Sequence, residues 1–124
     1  MAREKGIELS VFKGREAKLN RAILRITAQQ GPQTVYDVHK QVTKTKGLGH
    51  TRYANVNLRV RALEETGYLR KSGLKLTKSG FKAVLFETTA KAYLALVLNT
   101  LSAEELFSHL DEATALTLLS SILA

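Results

Sequence analysis

The sequence predicts an α+β fold, mainly helical: three helices and a β-hairpin, with additional C-terminal helices. Three features predict it. Apolar residues recur at three- and four-residue spacing in segments that Gly31-Pro32 and Gly67 close. Residues 68–89 hold many β-branched and aromatic residues together with Ser72-Gly73 and Ser79-Gly80, two places where a chain can turn. From residue 90 the chain is apolar on nearly every helical side. Its 124 residues suit one compact domain able to bury its own core, with an appended helical element. Residues 1–88 are assigned to the domain and residues 89–124 to the extension.

The elements follow in order. IELSVFKG (7–14) alternates Ile7, Leu9 and Val11 with Glu8 and Ser10, the pattern of a short strand. In EAKLNRAILRITAQQ (16–30), Leu19, Ala22, Ile23 and Ile26 share one side of a helix and Arg21 and Arg25 fall outside it. Thr34 and Asp37 have the spacing of a capping box and open a second helix, with Val35, Val38 and Val42 inward. TKTKGLGH (43–50) is a basic connector. A third helix runs from Thr51 to Thr66, with Val56, Val60 and Leu63 inward and Gly67 as its stop. Residues 68–89 admit two parses: a tight hairpin around Ser72-Gly73 before a long helix capped by Thr77, or a longer hairpin turning at Lys78-Ser79-Gly80. The longer one has a return strand Phe81–Thr88 and then a helix capped by Thr88 or Thr89; propensity favours it, since paired threonines suit a helix interior poorly. Ser102 with Glu105 forms another capping box, and Asp111 can cap a last helix, EATALTLLSSILA.

Charge divides the chain at the same place. Residues 1–88 hold 18 Lys and Arg against 7 Asp and Glu, a net of +11; residues 89–124 hold 1 against 4, a net of −3. A basic body with an apolar, mildly acidic tail implies a polyanion surface and a separate packing element. With no cysteine, disulfides, iron–sulfur clusters and thiol catalysis are excluded. No apolar run approaches the ~20 residues of a membrane span. The opening MAREKGIELSVFKGREAK lacks the apolar core of a secretory signal, so a soluble cytoplasmic protein is expected.

Helix, helix, basic turn, helix and hairpin is the order of a winged helix-turn-helix. VNLRVRALEETGYLRK (56–71) resembles the recognition-helix-to-wing passage of the MarR/PadR-like winged-helix regulators, of archaeal type. Their core pattern is met by Val56, Val60, Leu63, Glu64, Gly67, Tyr68 and Leu69. FETTAKAYLAL (86–96) resembles the segment after their wing, and the likeness covers about residues 17–98. It implies a transcriptional regulator that binds double-stranded DNA.

The residues support that partner independently. A major groove admits one α-helix and presents base edges that pair with amides and guanidiniums. On the third helix Thr51, Ala54, Asn55, Leu58 and Arg61 point outward, with Asn57 beside them. Asn55, Asn57 and Arg61 are the expected base readers, and Leu58 and Ala54 meet thymine methyls. Arg52 and Arg59, nearer the anchored side, are expected on phosphates. The rival reading of this helix is a solvated face braced by Arg61–Glu65. On the wing, Arg70, Lys71, Lys75, Lys78 and Lys82 recur with no acid between Tyr68 and Phe86, and Lys44 and Lys46 flank the recognition helix. The basic wing, residues 70–82, is expected on the backbone or in the minor groove, and phosphate contacts of this kind make affinity fall steeply with salt.

Other chemistry is set aside. Asp37 and His39 diverge on a helix, and His50 and His109 have no carboxylate at ligand spacing, so no metal is expected. The serines lack a histidine–acid context, and GLGH and KSG are too short for phosphate loops. No enzyme activity, cofactor, membrane association or small-molecule ligand is expected. Beyond residue 89, Tyr93, Leu94, Val97, Leu98, Leu106, Phe107, Leu110, Leu116, Leu119 and Ile122 present more apolar surface than one winged domain covers, which implies a homodimer, formed through these helices or through the N-terminal strand. Three alternatives stay open: a winged protein-interaction module, a non-specific architectural DNA binder and, with no stacking aromatics on the sheet to favour it, an RNA binder.

Overall fold

The structure, a computed structural model, describes residues 9–100, 104, 105, 108 and 110–123, with the backbone alone of 118 and 121–123. Ile7, Glu8, Ser102, Leu106, Phe107, His109 and the side chain of Ile122, all named above, lie outside the described residues.

Among the described residues the first element is a single 3-10 turn, Ser10–Phe12, within the segment 7–14 whose alternation predicts a strand. Two hydrogen bonds close it, Phe12 N–H to Leu9 O (2.9 Å) and Lys13 N–H to Ser10 O (3.2 Å). Both Val11 and Phe12 are buried, which an extended strand with one dry face could not achieve for consecutive residues. The buried Asn20 side chain donates to Val11 O at 2.9 Å and satisfies a carbonyl that would otherwise need a ladder.

Helix α1 (Ala17–Gln30) buries Leu19, Ala22, Ile23, Leu24 and Thr27, and ends where the Gly31 N–H reaches Thr27 O. Helix α2 (Val35–Val42) starts as its cap requires: the Asp37 N–H donates to Thr34 Oγ1 at 3.1 Å, and Val35, Val38 and Val42 face the core. Helix α3 (Tyr53–Glu65) is shorter than predicted, because Arg52 occupies the cap position and Thr51 precedes it. It ends in a Schellman closure, with Tyr68 N–H to Leu63 O (2.8 Å) and Gly67 N–H to Glu64 O (3.0 Å). That geometry needs a left-handed residue, and Gly67 supplies it at φ 85°.

Strands β1 (Leu69–Leu76) and β2 (Lys82–Thr88) form the longer of the two predicted hairpins, turning at Lys78-Ser79-Gly80. Ser72-Gly73 instead marks a register shift between Lys71 and Gly73. On the far side of β2, Gln33 exchanges both backbone hydrogen bonds with Phe86, at 2.9 and 2.8 Å, and acts as a one-residue third strand. Helix α4 (Ala90–Thr100) is capped by Thr89, which accepts from the Ala92 N–H at 3.3 Å. Helix α5 (Glu112–Leu123) is capped by Asp111, which accepts from the Thr114 N–H at 2.6 Å. Hydrogen bonds from Thr114 hold the Asp111 carboxyl below its ordinary range.

Ile23, Leu24, Val38, Val42, Val56, Val60, Leu63, Leu69 and Phe86 meet in one core, each contributing about 1.5–3 kcal/mol on burial. Its polar seam is a hydroxyl pair: Thr88 Oγ1 donates to Thr27 Oγ1 at 2.7 Å, and Thr27 bonds on to α1 carbonyls. Among the described residues, no helix is long and apolar enough to cross a membrane.

Candidate nucleic-acid interface

Val56, Val60 and Leu63 are all buried, so the inward side of α3 is the predicted one. Contacts at three places along it set its position. At the start, His39 Nε2 lies 2.9 Å from Thr51 O, and the His39 ring meets Tyr53 edge-on at 5.8 Å. In the middle, Arg59 Nε donates to Asn20 Oδ1 at 3.0 Å, so one amide ties the entry turn, α1 and α3 together. At the end, Lys91 Nζ from α4 donates to Thr66 O and lies 4.5 Å from the Tyr68 ring centre. A cation there also suits the negative end of the α3 dipole.

The opposite side of α3 carries Ala54, Asn55, Leu58 and Arg61, all exposed, with Leu58 64% exposed. Asn57 is half-buried; at about 100° per residue it and Asn55 fall on opposite flanks of the helix. Arg61 does not brace Glu65. Its guanidinium carbon lies 5.5 Å from the Phe86 ring centre, laid along the junction of α3 with the hairpin. Arg59 is half-buried with Nε committed to Asn20, while Arg52 is exposed just ahead of the helix.

The wing's cations are less uniform in space than along the chain. Arg70 pairs across the hairpin with Glu87 at 2.6 Å, Lys75 reaches Asp37 on α2 at 3.0 Å, and Lys71 lies 3.9 Å from Glu64. Burial would raise the Asp37 carboxyl, but hydrogen bonds from Lys75 and Thr34 and the Lys75 charge outweigh it and hold the group below its ordinary range. Such exposed pairs contribute only about 0–1 kcal/mol each, little enough for a phosphate to displace the acid. Lys44, Lys46, Lys78 and Lys82 are exposed and form no ion pair with a described residue. Asp37 turns to Lys75 and His39 to Thr51, so the two diverge as their spacing requires.

Sequence reasoning passed over Asn20, His39 and Lys91 as positioning residues. Lys91 left a signal, being the one Lys or Arg beyond residue 88. Asn20 left a faint one, an amide beside the apolar stripe of α1. His39 left none, because its partner is a backbone carbonyl twelve residues away.

The sequence matches no family model and none of the curated proteins. Solved structures do match. A PadR-like transcriptional regulator from Bacillus cereus is 18% identical, with a TM-score of 0.56 over 87% of this chain and 93% of that one. A transcriptional regulator from Thermoplasma acidophilum, its role assigned only provisionally, is 15% identical, with a TM-score of 0.51 over 86% and 91%. At these identities the likeness establishes the fold: three helices, a hairpin wing and following helices make this chain a winged helix-turn-helix of the form seen in PadR-like regulators.

Proposed function

We propose that the chain is a sequence-specific double-stranded DNA-binding protein, a transcriptional regulator that acts as a homodimer. One observation carries the reading: α3 is held on the domain by three buried aliphatics while its outer side, with Asn55, Leu58 and Arg61, is open to a partner. In this proposal α3 enters the major groove, Asn55, Asn57 and Arg61 read base edges, and Leu58 and Ala54 meet thymine methyls. Thr51 and Arg52 approach the backbone ahead of the helix. Lys44, Lys46, Lys78 and Lys82 bind phosphates directly, and Arg70, Lys71 and Lys75 do so by exchanging their acids. Arg59 positions α3 through Asn20 and leaves its remaining guanidinium donors for a phosphate.

The dimer is proposed to form through Tyr93, Leu94, Val97 and Leu98 of α4 and the apolar residues that follow. Tyr93, Leu94, Val97, Leu116 and Leu119 are exposed, and Leu98 and Leu110 half-buried. Two α3 helices would then meet half-sites about one DNA turn apart. One observation favours a winged protein-interaction module instead: three of the five wing cations already have acid partners.

Titration of random and selected duplexes at two salt concentrations tests both. Regulator function requires tighter binding to selected duplexes and a steep salt slope, with Lys78→Ala flattening that slope by about one unit. Weak binding that is indifferent to salt would favour the interaction module. Strong binding indifferent to sequence would favour an architectural role.

A further inference from the structure

The wing ends in an apolar tip set in cations. Phe81 is 74% exposed and Leu76 is 69% exposed, on either side of the turn. Neither belongs to the core. Lys78 lies within the turn and Lys82 follows Phe81; no described acid pairs with either.

The backbone under this tip is closely determined. Gly80 N–H donates to Thr77 O at 3.0 Å and Thr77 N–H to Phe81 O at 2.8 Å. Phe81 N–H donates to Thr77 Oγ1 at 3.2 Å, and that hydroxyl also meets Ser79 Oγ at 3.1 Å. Gly80 takes the left-handed conformation, φ 86°, that a three-residue hairpin loop of this kind needs. Both polar backbone groups of Phe81 are therefore satisfied while its ring stands out from the protein. These hydrogen bonds fix the backbone from which the ring projects.

We propose that Phe81, backed by Leu76, is a wedge that enters the DNA minor groove and partly unstacks a base step. The inference rests on the DNA-binding reading above and adds to it a deformation of the duplex. Charge complementarity selects the partner: apolar surface flanked by Lys78 and Lys82 fits a polyanion with apolar layers inside, which describes stacked bases between phosphates. Size requires the deformation. Paired strands lie about 4.8 Å apart before side chains are added, whereas an undistorted minor groove is only about 6 Å wide. The tip enters fully only where the groove opens, and an apolar side chain driven between base steps opens it and bends the duplex toward the major groove. That bend curves the duplex away from the wing and brings its ends closer together.

The test uses the full chain and a duplex of about 30 base pairs selected from a random pool. The duplex carries end-placed fluorophores for distance and 2-aminopurine at steps beneath the wing. Wild-type protein is expected to shorten the end-to-end distance and to raise 2-aminopurine emission. Phe81→Ala should abolish both signals and weaken binding about 5- to 30-fold, which is about 1–2 kcal/mol at 1.4 kcal/mol per tenfold. Phe81→Leu, which keeps an apolar wedge, should retain most of the bend. Lys78→Ala should flatten the salt slope and leave the bend unchanged. The thermal melt of each variant should match wild type, because Phe81 and Lys78 lie outside the core. Wild-type complexes with straight DNA, or a Phe81→Ala complex bent like wild type, would overturn the wedge alone. Absence of duplex binding by the wild type would overturn the wedge and the DNA-binding reading together.

Discussion

Helices α3 and α4 lie against one core yet bury opposite kinds of residue. In α3 the large aliphatics Val56, Val60 and Leu63 go inside, and amides and guanidiniums face out. In α4 the buried residues are two alanines, Ala92 and Ala95, while Tyr93, Leu94 and Val97 face out. Small residues let α4 approach the domain closely, where Arg21 Nε reaches Asn99 Oδ1 at 3.1 Å and Lys91 meets the end of α3. The same approach turns Tyr93, Leu94 and Val97 away, while Leu96 packs half-buried against the core. One helix is therefore built to be held and to show polar groups, and the other to be held lightly and to show apolar ones. The difference assigns them different partners: a hydrogen-bonding surface for α3, an apolar one for α4.

Four experiments press on that contrast. The largest effect is expected from Leu63→Ala, which empties a fully buried site and should lower unfolding free energy by about 2–5 kcal/mol in denaturant titration. A small loss would mean that α3 is anchored chiefly by its polar ties to Asn20, His39 and Lys91. Next comes Val97→Asp on α4. If that face joins two chains, sedimentation should show the mass falling to one chain, with the domain's melting little changed. A monomeric wild type would remove the apolar partner from the comparison.

Arg61→Ala should weaken binding to the selected duplex by about 1–3 kcal/mol and relax preference at one base pair. Equal losses on every sequence would reassign Arg61 to the backbone, consistent with its seat beside Phe86. The smallest effect belongs to Asp37→Asn. The folded Asp37 carboxyl sits below its ordinary value, so its contribution is fully present above about pH 4 and lost as pH falls through the lower folded value. The variant should be less stable than wild type near neutrality by about 1 kcal/mol or less, and the two curves should converge in acid. A gap that persisted at low pH would assign the loss to something other than the Lys75 pair.

Much of the architecture could be read along the chain, for reasons visible in particular residues. Val56, Val60 and Leu63 repeat at the period of a helix, and a helix's inward side follows from that period alone. Thr34 with Asp37, Gly67, Thr89 and Asp111 mark ends through bonds spanning only a few residues. Over the described residues 9–14, the expected strand is replaced by a 3-10 turn for the converse reason. Alternation tells which side chains can share a face, but a strand also needs a partner edge beside it; Ser10–Phe12 instead close a 3-10 turn on their own backbone, and Asn20 takes the Val11 carbonyl. Ser72-Gly73 likewise has turn composition but lies within a long ladder, where the extra residue becomes a bulge.

Local chemistry alone determined the helices, their caps, the longer hairpin and the basic character of residues 1–88, because each depends on periods, dihedral preferences or charges within one segment. Tertiary structure alone decided which charges stay uncompensated: Asp37, Glu64 and Glu87 come from three elements to meet Lys75, Lys71 and Arg70. It also decided that Asn20 holds Arg59, that Arg61 rests beside Phe86, and that Phe81 stands clear at the wing's end. Such pairings join groups distant in sequence, and their energies depend on separations that only the folded chain sets.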